Sequence, residues 1–351
     1  MTLILILLGT LSLWLLPENG QFYKANLHCH STVSDGKLTP EENKKHYMDH
    51  GYSIIAYTDH DVMVPHDDLA DENFLPLHGY EMEINEQLDG DSARAKTCHM
   101  CLIALEPDNL KQVCWHRDAY VWGNASTYRK QIQFYEEEPD YVRTYTPECI
   151  SDMMKKGREH GFFVTYNHPV CSMETRDQYI HYDHMHAMEI CNYGCIATGY
   201  DDYVPVVYDE MLRSGKRIYC IATDDNHNFG GANGPESDSF GGFTMIKAKK
   251  LDYRTITAAL EKGHFYASQG PEIKALWYED GVIHIECGPV KSIAFSCDTR
   301  RVVMFHAPEG GYLTSAKMPV GSNCIYVRIT IIDENGKPAN TNAYFVDEMN
   351  E

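Results

Sequence analysis

Residues Leu27-His28-Cys29-His30-Ser31-Thr32-Val33-Ser34-Asp35-Gly36 close an apolar approach, Tyr23 to Leu27, that has the pattern of a β-strand. Successive strand side chains point to opposite faces, so His28 and His30 share one face and Cys29 takes the other. Two imidazoles side by side, with the Asp35 carboxylate arriving on the following loop, are the beginning of a metal site. Taken alone, the pair reads more readily as two ordinary strand histidines than as ligands. Its meaning depends on what the rest of the chain brings to it.

Elements able to do so alternate, strand then helix. Thr39-Pro40-Glu41-Glu42 supplies an N-cap, a proline at the first helical position and acids in the first turn, predicting a helix to about His50 with Gly51 beyond it. Ser53 to Tyr57 is a short apolar strand ending in Thr58-Asp59-His60-Asp61. A strand near Phe74 to Leu77 leads into Gly79-Tyr80-Glu81-Met82-Glu83, and Cys98 to Leu105 is a strand that carries His99. Residues 106 to 146 are aromatic, acidic and irregular, and read as an insertion. A helix from Thr146 to His160 precedes the strand Phe162 to Tyr166, which delivers Asn167-His168-Pro169. Strands at Met188 to Cys191 and Arg217 to Thr223 flank a helix over Pro205 to Ser214, and the second strand ends in Asp224-Asp225-Asn226-His227. His60, Glu81, His168, Asp225 and His227 thus all fall just past strand carboxyl ends. In α/β barrels those ends converge on one face, where residues far apart in sequence meet.

His28-x-His30 with Ser34-Asp35-Gly36, Thr58-Asp59-His60, Gly79-x-Glu81, His99, His168-Pro169 and Asp225-x-His227 together resemble, in order, the motif series of the PHP (polymerase and histidinol phosphatase) family. The resemblance spans residues 23 to about 230. It implies a distorted barrel of about seven βα units with two or three metal ions at the strand carboxyl ends. It also implies that His28, His30, Glu81 and Asp225 hold one ion. Glu81 would bridge to a second held by His99 and His168, and Asp35, His60 and His227 would surround a third. Asp35 stands where trinuclear members have histidine, which leaves the third position open, and Glu83 shares the Glu81 face. All these donors are nitrogen or oxygen, a set suited to Zn²⁺, Mn²⁺ or Fe²⁺. Two such ions lower the pKa of a bridging water and clamp the oxygens of an in-line displacement, so a phosphoester is the fitting substrate. His60 or His227 could protonate the leaving oxygen.

Other candidates carry less. His46 and His50 lie four apart on a helix among charged neighbours, which reads as a solvated face, and no strand plainly carries His181, His184 and His186. Arg176 and Lys24 are phosphate contacts on charge alone. Neither a glycine-rich phosphate loop nor a serine or cysteine nucleophile signature occurs.

At 351 residues, with 43% hydrophobic and 23% charged residues, the chain has the composition of a globular protein of two domains. A formal charge of −21 argues against long nucleic acids as partners and fits a protein that gathers carboxylates around cations. Of the twelve cysteines only Cys98 and Cys101 stand at CxxC spacing, and the set reads as reduced thiols of a cytoplasmic protein. Leu3 to Leu16 is apolar but too short to span a bilayer, and lacks basic residues before it and a cleavage site after it. It reads as a strand or hairpin in residues 1–22, with no membrane span, although a secreted protein stays open. Residues 23–270 read as the metallohydrolase domain. Residues 271–351 read as a small β-sandwich-like domain, from the hairpin signals Asp280-Gly281 and Asn335-Gly336. The expectation is a metal-dependent phosphoesterase with two or three divalent ions and a small phosphorylated or nucleotide substrate, with a homo-oligomer compatible. The alternatives are a carbamate or other ester hydrolase on the same ions, and a non-catalytic metal-binding PHP domain with a β binding module.

Overall fold

The computed structural model describes residues 12–88, 92–231, 233–234 and 236–350. Most of the apolar segment Leu3 to Leu16 lies outside them. The chain divides into two compact units. The larger is Asn19–Gln269 with Asn340–Asn342, and the smaller joins Met1–Glu18 to Gly270–Ala339 and Ala343–Glu351.

The larger unit is mixed α/β. Its strands are β1 (Gln21–Cys29), β2 (Ile54–Tyr57), β3 (Leu75–Asn85), β4 (Thr97–Ala104), β5 (Phe162–Asn167), β6 (Ala187–Asn192), β7 (Tyr219–Thr223), β8 (Phe243–Ala248) and β9 (Phe265–Ser268). They lie side by side in the order β7-β6-β5-β4-β3-β2-β1-β8-β9. Its longer helices are α1 (Pro40–Asp49), α2 (Pro147–Glu159), α3 (Pro205–Arg213) and α4 (Tyr253–Glu261). Their ends follow from local chemistry. Thr39 forms a reciprocal capping box with Glu42, Thr146 accepts from the N–H of Cys149, and prolines occupy first-turn positions where no N–H is needed.

The sheet departs from seven repeated βα units. β1, β2 and β3 are parallel, but β4 turns back antiparallel between β3 and β5, and β8 is antiparallel to β1. Among the described residues no backbone ladder closes the sheet into a barrel. β7 meets β8 through one side chain instead: Thr244 Oγ1 accepts from Ala222 N–H at 3.3 Å and donates to Ala222 O at 2.9 Å. Apolar residues of β1, β2, β3, β6, β7 and β8 pack with Ile256, Leu260 and Phe265 in one buried core. This core fixes the strand ends, and through them the site. Cys29 lies in a different cluster, with Tyr47, Ile55 and Tyr57, on the face opposite its two histidine neighbours. The 106–146 segment has its own small core of Trp115, Val121, Ala125 and Ile132 against Val33 and Val62.

In the smaller unit β10 (Ile273–Glu279), β11 (Val282–Val290) and β14 (Leu313–Pro319) form one antiparallel sheet, joined at its edge by Leu13–Trp14. β12 (Ser292–Cys297) pairs with both β13 (Val302–His306) and β15 (Tyr326–Ile332) in another. The β10–β11 turn places Asp280 at φ 50° and Gly281 at φ 77°, as a tight two-residue hairpin requires. Among the described residues no helix is long and apolar enough to cross a membrane.

Candidate metal centre

Glu81 stands at the middle of the site. β3 passes it without a break because Gly79 lets the neighbouring strand approach: a Cβ at Gly79 would lie 2.9 Å from Leu102 O. Oε1 of Glu81 lies 3.1 Å from His28 Nε2, 3.0 Å from His99 Nδ1 and 3.3 Å from His168 Nε2. Oε2 lies 3.3 Å from His30 Nε2 and 3.2 Å from His60 Nδ1. Asp225 Oδ1 is 3.1 Å from His28 Nε2 and 3.0 Å from His30 Nε2, and its Oδ2 is 3.7 Å from His168 Nε2. Asp35 Oδ2 is 3.5 Å from His227 Nε2 and 3.9 Å from His60 Nε2. The nine residues of the motif series, His28, His30, Asp35, His60, Glu81, His99, His168, Asp225 and His227, therefore stand in one continuous cluster.

Backbone contacts bring the strand ends together. Asp225 N–H donates to His28 O at 2.9 Å, His30 N–H donates to Asn226 O at 3.2 Å, and His60 bridges to Glu81. Asp59 accepts from the N–H and the hydroxyl of both Ser31 and Ser34, which fixes the loop leading to Asp35. His168 at φ 27° and Asp225 at φ 51° hold left-handed backbone. Side-chain residues other than glycine adopt it at a cost, and surrounding contacts must hold them there.

The rings are aimed by what holds their other nitrogen. His28 Nδ1 contacts Glu189 Oε1 at 2.8 Å, His168 Nδ1 contacts Ser172 Oγ at 3.0 Å and His227 Nδ1 donates to Asp225 O at 3.0 Å. His30 Nδ1 lies 3.5 Å from Ser34 Oγ. An acceptor-only partner, as at His28 and His227, holds the proton on Nδ1, leaves Nε2 as the donor atom facing the centre and strengthens its basicity; the serine hydroxyls orient the other two rings.

The electrostatics are those of ligands repelling or pairing with one another. Burial opposes a charge on His30 and His168, yet the close carboxylates of Asp225 and Glu81 carry His30 up to about 10, and Glu81 beside it carries His168 equally far. Burial, then the neighbouring His30, pushes His60 down to about 3. Burial likewise opposes charge on Glu81, but His28, His99 and His60 hold it well below the usual carboxylate range. Buried Asp225 Oδ1 and His60 Nδ1 make no hydrogen bond of acceptable geometry despite close neighbours. Carboxylate oxygens and imidazole nitrogens converging this closely, with buried polar atoms left unpaired, fit a cation.

Four groupings of the N/O donors could each hold an ion, with ligand atoms within 4.8 Å of one another: His28, His30, Glu81 and Asp225; His30, Asp35, His60 and His227; His60, Glu81 and His99; and His28, His168 and Glu189. The first two coincide with sets implied by the motif series, with His30 added to the second. His60 shares the Glu81–His99 corner, where the series places His168.

Glu189 was not legible as a site residue. It is fully buried on β6 and accepts from His28, Thr223, Asn192 and the N–H of His168. An acid inside an apolar strand was the available signal, because a buried carboxylate must find partners. Asn167 also enters, donating to Glu81 Oε1 at 3.3 Å. The insertion contributes Arg143, which pairs at 2.5 Å with buried Asp61 beside His60, and Trp122, whose ring lies 5.5 Å from that of His60. Other candidates are engaged elsewhere. His50 stacks on Phe240, His186 stacks on Phe163, Lys24 lies over Tyr52, and Arg176 pairs with Glu210. Glu83 Oε2 lies 3.7 Å from His99 Nε2, at the margin.

No protein-family model matches the chain, and no curated protein sequence matches it. Among solved structures it is similar to a two-domain protein of Bacteroides vulgatus containing a predicted PHP-like metal-dependent phosphoesterase. That likeness has 15% identity and a TM-score of 0.44, and covers 94% of this chain and 98% of that one. A protein of Bifidobacterium adolescentis, described as a candidate metal-dependent phosphoesterase, is 16% identical over 70% of this chain and 97% of its own, with a TM-score of 0.41. An amidohydrolase from Chromobacterium violaceum, with bound sulfate and no metal, is 15% identical over 58% of this chain and 87% of its own, with a TM-score of 0.35.

Proposed function

We propose that the chain is a metal-dependent hydrolase of the PHP type that cleaves phosphoric esters of small molecules. The observation that carries this reading is Glu81, one buried carboxylate within 3.3 Å of five imidazole nitrogens and shared between ligand groups. Divalent ions bound there would supply Lewis-acid polarisation of phosphoryl oxygens and acidify a coordinated water. His28, His30, Glu81 and Asp225 would hold the first ion. Glu81 with His99 and His168 would hold the second, and Asp35, His60 and His227 a third.

The chain's own residues do the rest. Glu189 fixes the tautomer of His28, and Ser172 orients the ring of His168. The carboxylates of Glu81 and Asp225 neutralise the cations, while the imidazoles leave the site net positive towards a phosphoryl group once ions are bound. With the third position empty, His227, partly exposed at the rim, would hold a proton for the leaving oxygen; His60, kept neutral by burial, suits that role less. On the same reading the larger unit is the hydrolase domain and the smaller a β module attached to it. The test is reconstitution of chelator-stripped protein with Zn²⁺, Mn²⁺ or Fe²⁺, followed by assay against a panel of phosphomonoesters, phosphodiesters and carboxylic esters. Phosphate release with at least one metal and none without supports the reading. Hydrolysis of carboxylic esters alone, or of nothing, sinks it.

A further inference from the structure

Two thiols stand against the nitrogen-and-oxygen centre. The Sγ atoms of Cys171 and Cys195 and a ring nitrogen of His168 all lie within 4.8 Å of one another. Neither cysteine belongs to a spaced motif, so only the fold brings them together. Cys171 is half-buried in the turn after β5, where its N–H donates to Asp202 Oδ2 at 3.0 Å. Cys195 is buried in the helical turn Tyr193–Ala197, where its N–H donates to Asn192 Oδ1 at 2.9 Å. Both backbones are thus held by contacts inside the site.

In tetrahedral zinc, with Zn–S near 2.3 Å and Zn–N near 2.0–2.1 Å, ligand atoms stand roughly 3.5–3.8 Å apart. Atoms already within 4.8 Å can close on such an ion by small side-chain rotations. Two thiolates and one imidazole select thiophilic ions over Mn²⁺ or Mg²⁺, unlike the donors around Glu81. Binding releases one proton from each thiol to solvent.

We propose that His168, Cys171 and Cys195 form a second, soft metal site that takes one Zn²⁺ or Cd²⁺ and competes with the Glu81 centre for His168. The competition rests on the proposed function; the binding does not.

The experiment uses full-length protein, kept reduced with a phosphine and saturated with Mn²⁺, then titrated with Cd²⁺. One equivalent of Cd²⁺ should bind, displacing at most one Mn²⁺, with an ultraviolet thiolate-to-cadmium charge-transfer band. That band should vanish in Cys171→Ser and in Cys195→Ser and persist in Cys149→Ser, a half-buried cysteine elsewhere in the unit. No band in the wild type, or a band that survives both substitutions, overturns the site. Should either variant fold poorly, alkylation of wild-type Cys171 by iodoacetamide decides the question. Cd²⁺ should slow it at least tenfold, and an unchanged rate overturns the proposal. Phosphomonoester hydrolysis should be at least tenfold more sensitive to Cd²⁺ in the wild type than in Cys195→Ser. Equal sensitivity overturns the competition for His168. Absence of hydrolysis in every protein refutes the phosphoesterase reading, while the band and the alkylation rate still judge the site.

Discussion

Replacing Glu189 by glutamine tests how far one buried acceptor controls the metal centre. The carboxylate receives four donors: Oε1 from Thr223 Oγ1 at 2.6 Å and His28 Nδ1 at 2.8 Å, and Oε2 from His168 N and Asn192 Nδ2, each at 2.9 Å. Glutamine keeps one acceptor oxygen and adds an NH₂ that accepts nothing. Placed at the Oε2 position, that NH₂ would face two N–H donors that cannot turn away. It therefore takes the Oε1 position, where Thr223 can rotate its hydroxyl and His28 can move its proton to Nε2. The proton then occupies the lone pair that faces Glu81 and Asp225. Loss of an orienting partner of this kind costs roughly 10–100-fold in metal affinity, or about 1.4–2.7 kcal/mol. The metal-free chain should also lose about 1–3 kcal/mol, since a buried donor goes unsatisfied. Chelator competition gives the metal Kd, urea unfolding gives the stability, and nitrogen NMR of the imidazoles gives the tautomer. Unchanged metal affinity in a folded Glu189→Gln protein would refute the argument that Glu189 sets the His28 donor atom.

Glu81→Gln should disrupt two ion positions and abolish phosphoester hydrolysis, a loss of roughly 3–4 kcal/mol or more in transition-state stabilisation. Asp35→Asn should leave two ions bound and lower kcat/KM less; equal metal content in the two variants, measured by elemental analysis, contradicts that division. Cys29→Ser should keep its metal, because Cys29 faces the Tyr47–Tyr57 cluster, and loss of bound metal with the fold intact would show otherwise. His186 is pushed down to about 3 by burial and then by Arg158, and its Nδ1 accepts the Val164 N–H at 3.0 Å. The folded chain then binds no proton there between its ordinary pKa, near 6.5, and about 3, whereas the unfolded chain does. Stability from this group is present above pH 6.5 and falls by at most about 1.4 kcal/mol per pH unit below it. Urea unfolding at pH 7.5 and pH 5 should show a smaller acid loss in His186→Gln than in the wild type. Buried Arg143 should be unforgiving. Arg143→Ala leaves Asp61 an uncompensated buried acid, at a cost of about 3–5 kcal/mol, while Arg143→Ala with Asp61→Ala should recover part of it in the same unfolding assay.

Local chemistry determined a good deal of this molecule. The capping residues Thr39 and Thr146 and their prolines mark helices within a residue or two of Pro40–Asp49 and Pro147–Glu159. The two-residue period of a strand put His28 and His30 on one face and Cys29 on the other. Both signals are complete within a few residues, which is why they can be read from a line of text. The direction of β4 is not such a signal. An apolar run is equally compatible with parallel and antiparallel neighbours, and the antiparallel return of β4 is set by the β3 backbone it pairs with from Gly79 to Asn85. The lack of a closing ladder between β7 and β8 is decided in the same way, by where the whole sheet ends. Partner identity at long range is likewise invisible locally. Glu189 meets His28 across 161 positions, and nothing in either neighbourhood specifies the other. Arg143 reaches Asp61 across 82 positions, out of a segment with no periodic pattern. Cys171 and Cys195 come to one imidazole only because β5 and β6 lie side by side. The sequence put candidate metal ligands at strand ends; the packing of the sheet decided which of them converge and which buried groups hold them there.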